Sequence, residues 1–209
     1  MLAVLSTLSG LSGIGHIVCE YKKHYPLIYT LKPLTVLFII VAVGLHSPLN
    51  DYAIAITAGL CLSLLGDIFL MLRNQKFVAG LVSFLLAHLV YIYAFYQQLS
   101  TQLQWQNLLY FSLPAGAYIA YLYSGLGKLK IPVLVYVSAI VMMAFVSFEM
   151  YLSSVSTYSL AAFAGAIIFM ISDATLALNK FKRPFHAAQI VILSTYYVAQ
   201  WAIAYSTFG

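Results

Sequence analysis

Two aspartates, Asp67 and Asp173, sit inside the long apolar runs LCLSLLGDIFLML and AFAGAIIFMISDATLAL. The chain has only 5 acidic residues, so two at such positions need a reason. An ionisable side chain at membrane depth is costly and is seldom kept as filler. In a low-dielectric pocket two carboxyl groups can divide labour, one serving as a protonated acid and the other as a carboxylate. The same pair could instead bind a proton or cation in transit. The plain alternative is helix glue, since Ser63 lies one turn before Asp67 and Ser172 adjoins Asp173. A neutral Ser or Asn would serve as glue at lower cost.

Other polar residues fall near these acids along the chain. Lys32, Asn179, His186 and Gln189 lie at neighbouring span ends, where each could bind a lipid phosphate or head group. Their ordinary readings are snorkelling for Lys32, helix capping for Asn179 and an interfacial residue for His186. His88 shares a helical face with Phe84 and Tyr91. Its ordinary reading is a histidine bonded to a backbone group or a tyrosine hydroxyl. Tyr196, Tyr197 and Gln200 fall inside an apolar run and offer hydroxyl and amide groups either to a cavity or to a neighbouring helix. Two Asp with one or two His could ligate zinc, but there is no HExxH and no close His pair. No metal or other cofactor is expected.

The elements that hold these residues follow from composition. With 63% hydrophobic and 7% charged residues, the chain is not a soluble domain, for which roughly 25% charged is usual. Apolar stretches of about membrane-helix length fall at 2–19, 29–46, 52–73, 76–98, 106–124, 131–150, 157–178 and 186–206. A single all-α membrane domain of about eight spans is expected over 1–209. The first run lacks the basic start and small-residue cleavage site of a signal peptide, so it is expected to remain as a helix. Cys19 and Cys61 show no CxxC spacing, which argues against a disulfide framework or a thiol–metal site.

The net charge of +5 does not point to nucleic acid, because it is spread over short junctions. Lys22, Lys23 and Lys32 surround one junction, Arg73 and Lys76 a second, Lys128 and Lys130 a third, and Lys180, Lys182 and Arg183 a fourth. These are the junctions after spans one, three, five and seven. The positive-inside rule places them in the cytoplasm and both termini outside. Asp67 then lies about 9 Å short of the cytoplasmic end of its span, and Asp173 lies at a similar depth. LGDIFLML and ISDATLAL each close the third span of a four-span half, and Lys32-Pro33 and Lys130 to Pro132 open the second spans. A 4+4 repeat, 1–103 and 104–209, is a further expectation.

These residues also carry a family resemblance. GDIFLML, then Phe77, Gly80 and SFLLAHLVYIYAF, followed later by FMISDATLALNKF and YYVAQ, resemble the signatures of the YhhN/TMEM86 family of lysoplasmalogenases. Lys32-Pro33 fits the family's early pattern. The resemblance implies a polytopic bundle of about eight helices that hydrolyses the vinyl ether bond of lysoplasmalogens. The products are a fatty aldehyde and a glycerophospho-head-group compound.

That chemistry suits two carboxyl groups. Protonating the vinyl carbon needs a positioned acid, and the resulting oxocarbenium ion needs a nearby negative charge. Glycoside hydrolases use a carboxyl pair around a similar cation. The expected protein is thus an integral membrane hydrolase, in the inner membrane if bacterial, acting on a lysophospholipid with a vinyl ether-linked chain. A small transporter using the Asp pair is the second reading and predicts a polar route onward to the outer face. A non-catalytic lipid-binding or scaffold protein is the third.

Overall fold

The computed structural model describes residues 1–72 and 76–209; Arg73, one of the basic junction residues, lies outside them. Among the described residues the chain forms eight α-helices and no strand. They are α1 (Leu2–Lys22), α2 (Tyr25–His46), α3 (Asp51–Met71), α4 (Phe77–Gln97), α5 (Leu108–Leu122), α6 (Lys130–Ser153), α7 (Thr157–Phe181) and α8 (Ala188–Tyr205). Each corresponds to one apolar run of the sequence.

Six of these helices, α1 to α4, α6 and α7, are long and apolar enough to cross a membrane. The other two fall short for different reasons. α5 has 15 residues, contains Pro114, and continues at both ends as 3-10 turns, Trp105–Asn107 and Tyr123–Gly125. A proline inside a helix removes one backbone hydrogen bond and crowds the preceding turn. α8 has 18 residues and is diluted by Gln189, Tyr196, Tyr197 and Gln200. Of these, Tyr196, Tyr197 and Gln200 are buried.

Helix termini are set by familiar local chemistry. The Asn50 side chain accepts from the Ala53 N–H at the start of α3, and Asp51 adds a favourable acid to the first turn. Ser156 and Ser159 form a reciprocal capping box at the start of α7. Lys23, at φ 54°, ends α1 in the left-handed conformation.

The helices form a closed ring in the order α2, α3, α4, α6, α7 and α8, with α8 returning to α2. α1 packs outside the ring against α2 and α8, while α5 packs mainly on α6. Each sequence half thus gives three adjacent helices to the ring and one flanking helix, the arrangement a duplication would leave. We propose a 4+4 repeat as its origin.

α3 and α4 are in especially close register. Tyr91 and Phe84 of α4 lie over Gly59 and Gly66 of α3, and a Cβ at Gly66 would come within 2.6 Å of the Phe84 ring. The glycines let the aromatic rings approach the α3 backbone closely, Phe84 at Gly66, the residue before Asp67. At the end opposite the basic junctions, Glu149 is buried and accepts from the Gln104 N–H at 2.9 Å and from Asn107 Nδ2 at 2.8 Å. That clamp fixes the entry to α5.

Gly59→Ala should lower the thermal unfolding temperature clearly, because its Cβ would collide with Tyr91; overpacking of this kind costs typically about 1–3 kcal/mol. Gly116→Ala, where a Cβ meets open space, is the matched control and should have little effect in the same thermal melt.

Candidate active site

Every ring helix contributes a side chain to the region around the two acids. Lys32 comes from α2, Asp67 from α3, Phe84 and His88 from α4, Tyr136 from α6, Asp173 from α7 and Tyr196 from α8. Lys32 Nζ lies 3.2 Å from Asp67 Oδ1, and the Tyr196 hydroxyl donates to Asp67 Oδ2 at 2.7 Å. Asp67 is therefore buried with a cation and a hydroxyl as partners.

Asp173 is held differently. The Tyr136 hydroxyl donates to its Oδ2 at 2.6 Å. His88 Nε2 stands 4.0 Å from the same oxygen, too far for a hydrogen bond. The His88 ring packs edge-on against Phe169 and Tyr136, and among the described residues neither ring nitrogen has a hydrogen-bond partner of good geometry. The Asp173 side chain is 13% exposed, against 4% for Asp67. Neither serine proposed as glue bonds an acid: the Ser172 hydroxyl donates to the Ile192 carbonyl, and Ser63 Oγ has no partner of good geometry.

Both carboxylates line one cavity of about 580 Å³ that reaches the surface at the basic end. Glu20, Lys32, Asn179, Lys180, Gln189 and Tyr196 also face it. An apolar groove of about 220 Å³ runs alongside, between α4, α5, α6 and α7. The two spaces share Leu70, Phe77, Phe84, Asp173 and Leu176 as walls. Asp173 is thus the acid common to a polar and an apolar compartment.

On the far side of the acids the ring is filled. Leu60, Tyr91, Phe95, Met143, Phe169 and Ile203 are fully buried there. Gln200 is buried too, and its Oε1 accepts from the Tyr91 hydroxyl at 2.9 Å. The cavity accordingly opens on one side.

The other residues singled out from the sequence have varied placements. Lys32 is engaged with Asp67 instead of standing ready for a phosphate. Asn179 faces the cavity while its Oδ1 accepts from the Phe185 N–H, so it also shapes the α7–α8 turn. His186 is exposed on that turn, where its backbone carbonyl accepts from Tyr21. Tyr197 points toward α1, where its hydroxyl lies 2.7 Å from His16 Nδ1, and His16 Nε2 lies 3.2 Å from Glu20 Oε1.

Tyr136, His16, Glu20 and Lys180 are the neighbours that sequence reasoning did not single out. His16 and Glu20 are four residues apart on one helical face, which is a readable signal. Tyr136 is one of 17 tyrosines and carries none. Among the described residues no three His, Cys, Asp or Glu side chains come together as a metal-binding group.

Comparison with known proteins adds an independent line. The model of the YhhN family matches residues 27–207. Lysoplasmalogenase TMEM86A of Homo sapiens is 38% identical over 159 residues, 74% of this chain and 65% of that protein. Lysoplasmalogenase TMEM86B of Homo sapiens is 32% identical over 177 residues, 84% of this chain and 73% of that protein. The uncharacterized membrane protein YhhN of Shigella flexneri is 24% identical over 180 residues, 86% of each chain. No solved structure matches this chain.

The Lys32–Asp67 contact generates a stability prediction. Removing one partner of a buried pair leaves an uncompensated charge and typically costs about 3–5 kcal/mol. Lys32→Met and Asp67→Leu should each lower the thermal unfolding temperature of the purified protein. The double variant should recover much of the loss, because no lone charge is then left buried. A double variant as unstable as the sum of the two singles would show that the pair is not coupled.

Proposed function

This chain belongs to the YhhN family, and from that premise we propose that it hydrolyses the vinyl ether bond of a lysoplasmalogen with Asp67 and Asp173 as its catalytic residues. It is an integral membrane protein, and two of its relatives carry the name lysoplasmalogenase. The observation that carries the reading is the shared cavity. Two carboxylates from different helices face one space that is open at the basic end and closed beyond them.

The roles follow from the partners. Asp67 has a lysine beside it and serves as the fixed negative charge. Asp173 has no lysine partner, accepts from Tyr136, and faces both the polar cavity and the apolar groove. It serves as the acid.

In the first step Asp173 gives its proton to the vinyl carbon remote from the ether oxygen. A C–H bond forms, the double bond is lost, and the adjacent carbon becomes an oxocarbenium ion. The Asp67 carboxylate faces that cation. Water entering from the basic end then adds to the cationic carbon, and its proton returns to Asp173. The resulting hemiacetal collapses to a fatty aldehyde and the free hydroxyl of the glycerophospho product. Proton balance is restored without an added reactant.

The polar groups of the cavity sort the substrate's other end. Lys180 and Gln189 are exposed at the mouth and can meet a phosphate and its substituent. Lys180 also lies 4.1 Å over the Phe77 ring, which places its charge beside the wall between the two compartments.

A transporter with the same acid pair would need an open polar path past the acids, whereas the ring there is closed by fully buried side chains, mostly apolar and aromatic, with Gln200 held by Tyr91. That packing favours a hydrolytic pocket over a conduit.

Purified protein in detergent or nanodiscs should release aldehyde from a lysoplasmalogen. Asp173→Asn should lower kcat by at least about 10²-fold, the usual scale for a general acid, and Asp67→Asn should also be severely impaired. The residual rate of Asp173→Asn should climb steadily as pH falls, as direct protonation by hydronium requires, while that of Asp67→Asn should keep the shape of the wild-type pH profile. Full activity in both Asn variants, or no aldehyde from the wild type, would sink the proposal.

A further inference from the structure

A substrate that is half head group and half hydrocarbon needs two compartments, and the cavity at the basic end accounts for only one. The apolar groove between α4, α5, α6 and α7 is the second space that touches an acid. Its polar wall groups are few and engaged. The Tyr118 hydroxyl donates to the Ala174 carbonyl at 2.6 Å, and Tyr136 donates to Asp173. The remaining walls, such as Leu81, Ile119, Val137 and Ala177, offer only hydrocarbon.

The groove has both direction and a mouth. It follows α5 from Leu122 to Pro114 and α6 from Val133 to Val141, about 12 Å along each at the rise of an α-helix. Pro114 and Ile171 are exposed on its walls, so it meets the hydrocarbon of the bilayer there. α5, the shortest of the helices, packs mainly on α6 and touches α7 little. Tyr118 is a hydrogen-bonded crosspiece from α5 to α7.

We propose that this groove is the binding site for the single aliphatic chain of the substrate, which enters from the bilayer beside α5 and brings its head-proximal end to Asp173. The proposal deepens the hydrolase reading and rests on it for the identity of the lipid. Continuity identifies the occupant: five residues, Asp173 among them, wall both compartments. A lipid lying across that shared wall has its head group toward Lys180 and Gln189, its chain against α5 and α6, and the bond joining them at the acid.

A chain leaving the bilayer for this groove exchanges one hydrocarbon surrounding for another, so the hydrophobic effect adds little net affinity. What the groove supplies is register: it fixes how far along the chain Asp173 meets the substrate. A single-chain lipid is placed by this groove alone, whereas a diacyl lipid would also have to leave its second chain in the bilayer, which sets the one apart from the other.

The test uses the intact protein in nanodiscs with a lysophosphatidylethanolamine carrying a diazirine in its chain, compared with a diacyl phosphatidylethanolamine carrying the same diazirine chain. After irradiation, the lysolipid should label residues 114–122 and 133–141 several-fold more strongly than the diacyl probe. Val137→Phe and Ala115→Phe, two separate ways of filling the groove, should each reduce that labelling, and a variant that does not elute as folded protein is replaced by the other. Equal labelling by both probes would identify the occupant as bulk membrane lipid and overturn the proposal, as would labelling confined to α1 and α2. The probe has no vinyl ether, so labelling is independent of turnover. Groove labelling with no aldehyde release defeats the hydrolase reading and leaves the chain site standing; aldehyde release without groove labelling does the reverse.

Discussion

Removing a carboxylate from water without a partner is among the most expensive events in a folded chain, and the placement of Asp67 shows how this bundle meets that constraint. Its two oxygens take a lysine ammonium from α2 and a tyrosine hydroxyl from α8. The contact therefore ties together helices far apart in sequence and closes the ring at the α2–α3–α8 corner. Pro33 follows Lys32 directly and breaks the hydrogen-bonding pattern of α2 next to the site. The glycines of α3 bring α4 in beside it, so that Phe84 becomes one wall of the cavity.

Asp173 meets the same constraint with less. Its partners are a hydroxyl from the second helix of its own half and a more distant imidazole from the fourth helix of the other half. Asp67 draws its partners from the equivalent places, α2 of its own half and α8 of the other. The two sites thus share a plan and differ in content: lysine and tyrosine around Asp67, tyrosine and histidine around Asp173. That difference in content gives two like residues unlike surroundings.

Much of the fold was legible because membrane helices announce themselves by length and hydropathy. All eight helices fall on the apolar runs, with ends displaced by up to four residues where the flank, as at 25–28 after the basic junction, is still helical. The acids were legible for the complementary reason, that a carboxyl in such a run cannot be accidental packing. Tyr196 stood out because α8 carries a polar cluster mid-span. Contacts across the ring were not legible. Which tyrosine meets Asp173 depends on the rotation of α6 against α7, and no local pattern encodes it. His186 is near Asp173 in sequence, and the turn after Pro184 leaves it exposed. The apolar groove left no trace in the sequence, since leucines and valines that line a groove look like those that face lipid.

The relation between α8 and the site explains its low hydropathy. A helix that supplies Tyr196 to one acid, Tyr197 to His16 and Gln200 to Tyr91 must carry polar groups on its buried face. It can do so because α1, α2, α3 and α7 surround it and shield those groups from lipid. α5 shows the opposite arrangement, an apolar helix shortened and held at the edge, with its proline toward the groove mouth. One helix is sheltered enough to be polar, and the other lies exposed along the apolar groove. The pair of carboxylates thus borders a polar cavity open at the basic end, and Asp173 borders an apolar groove as well.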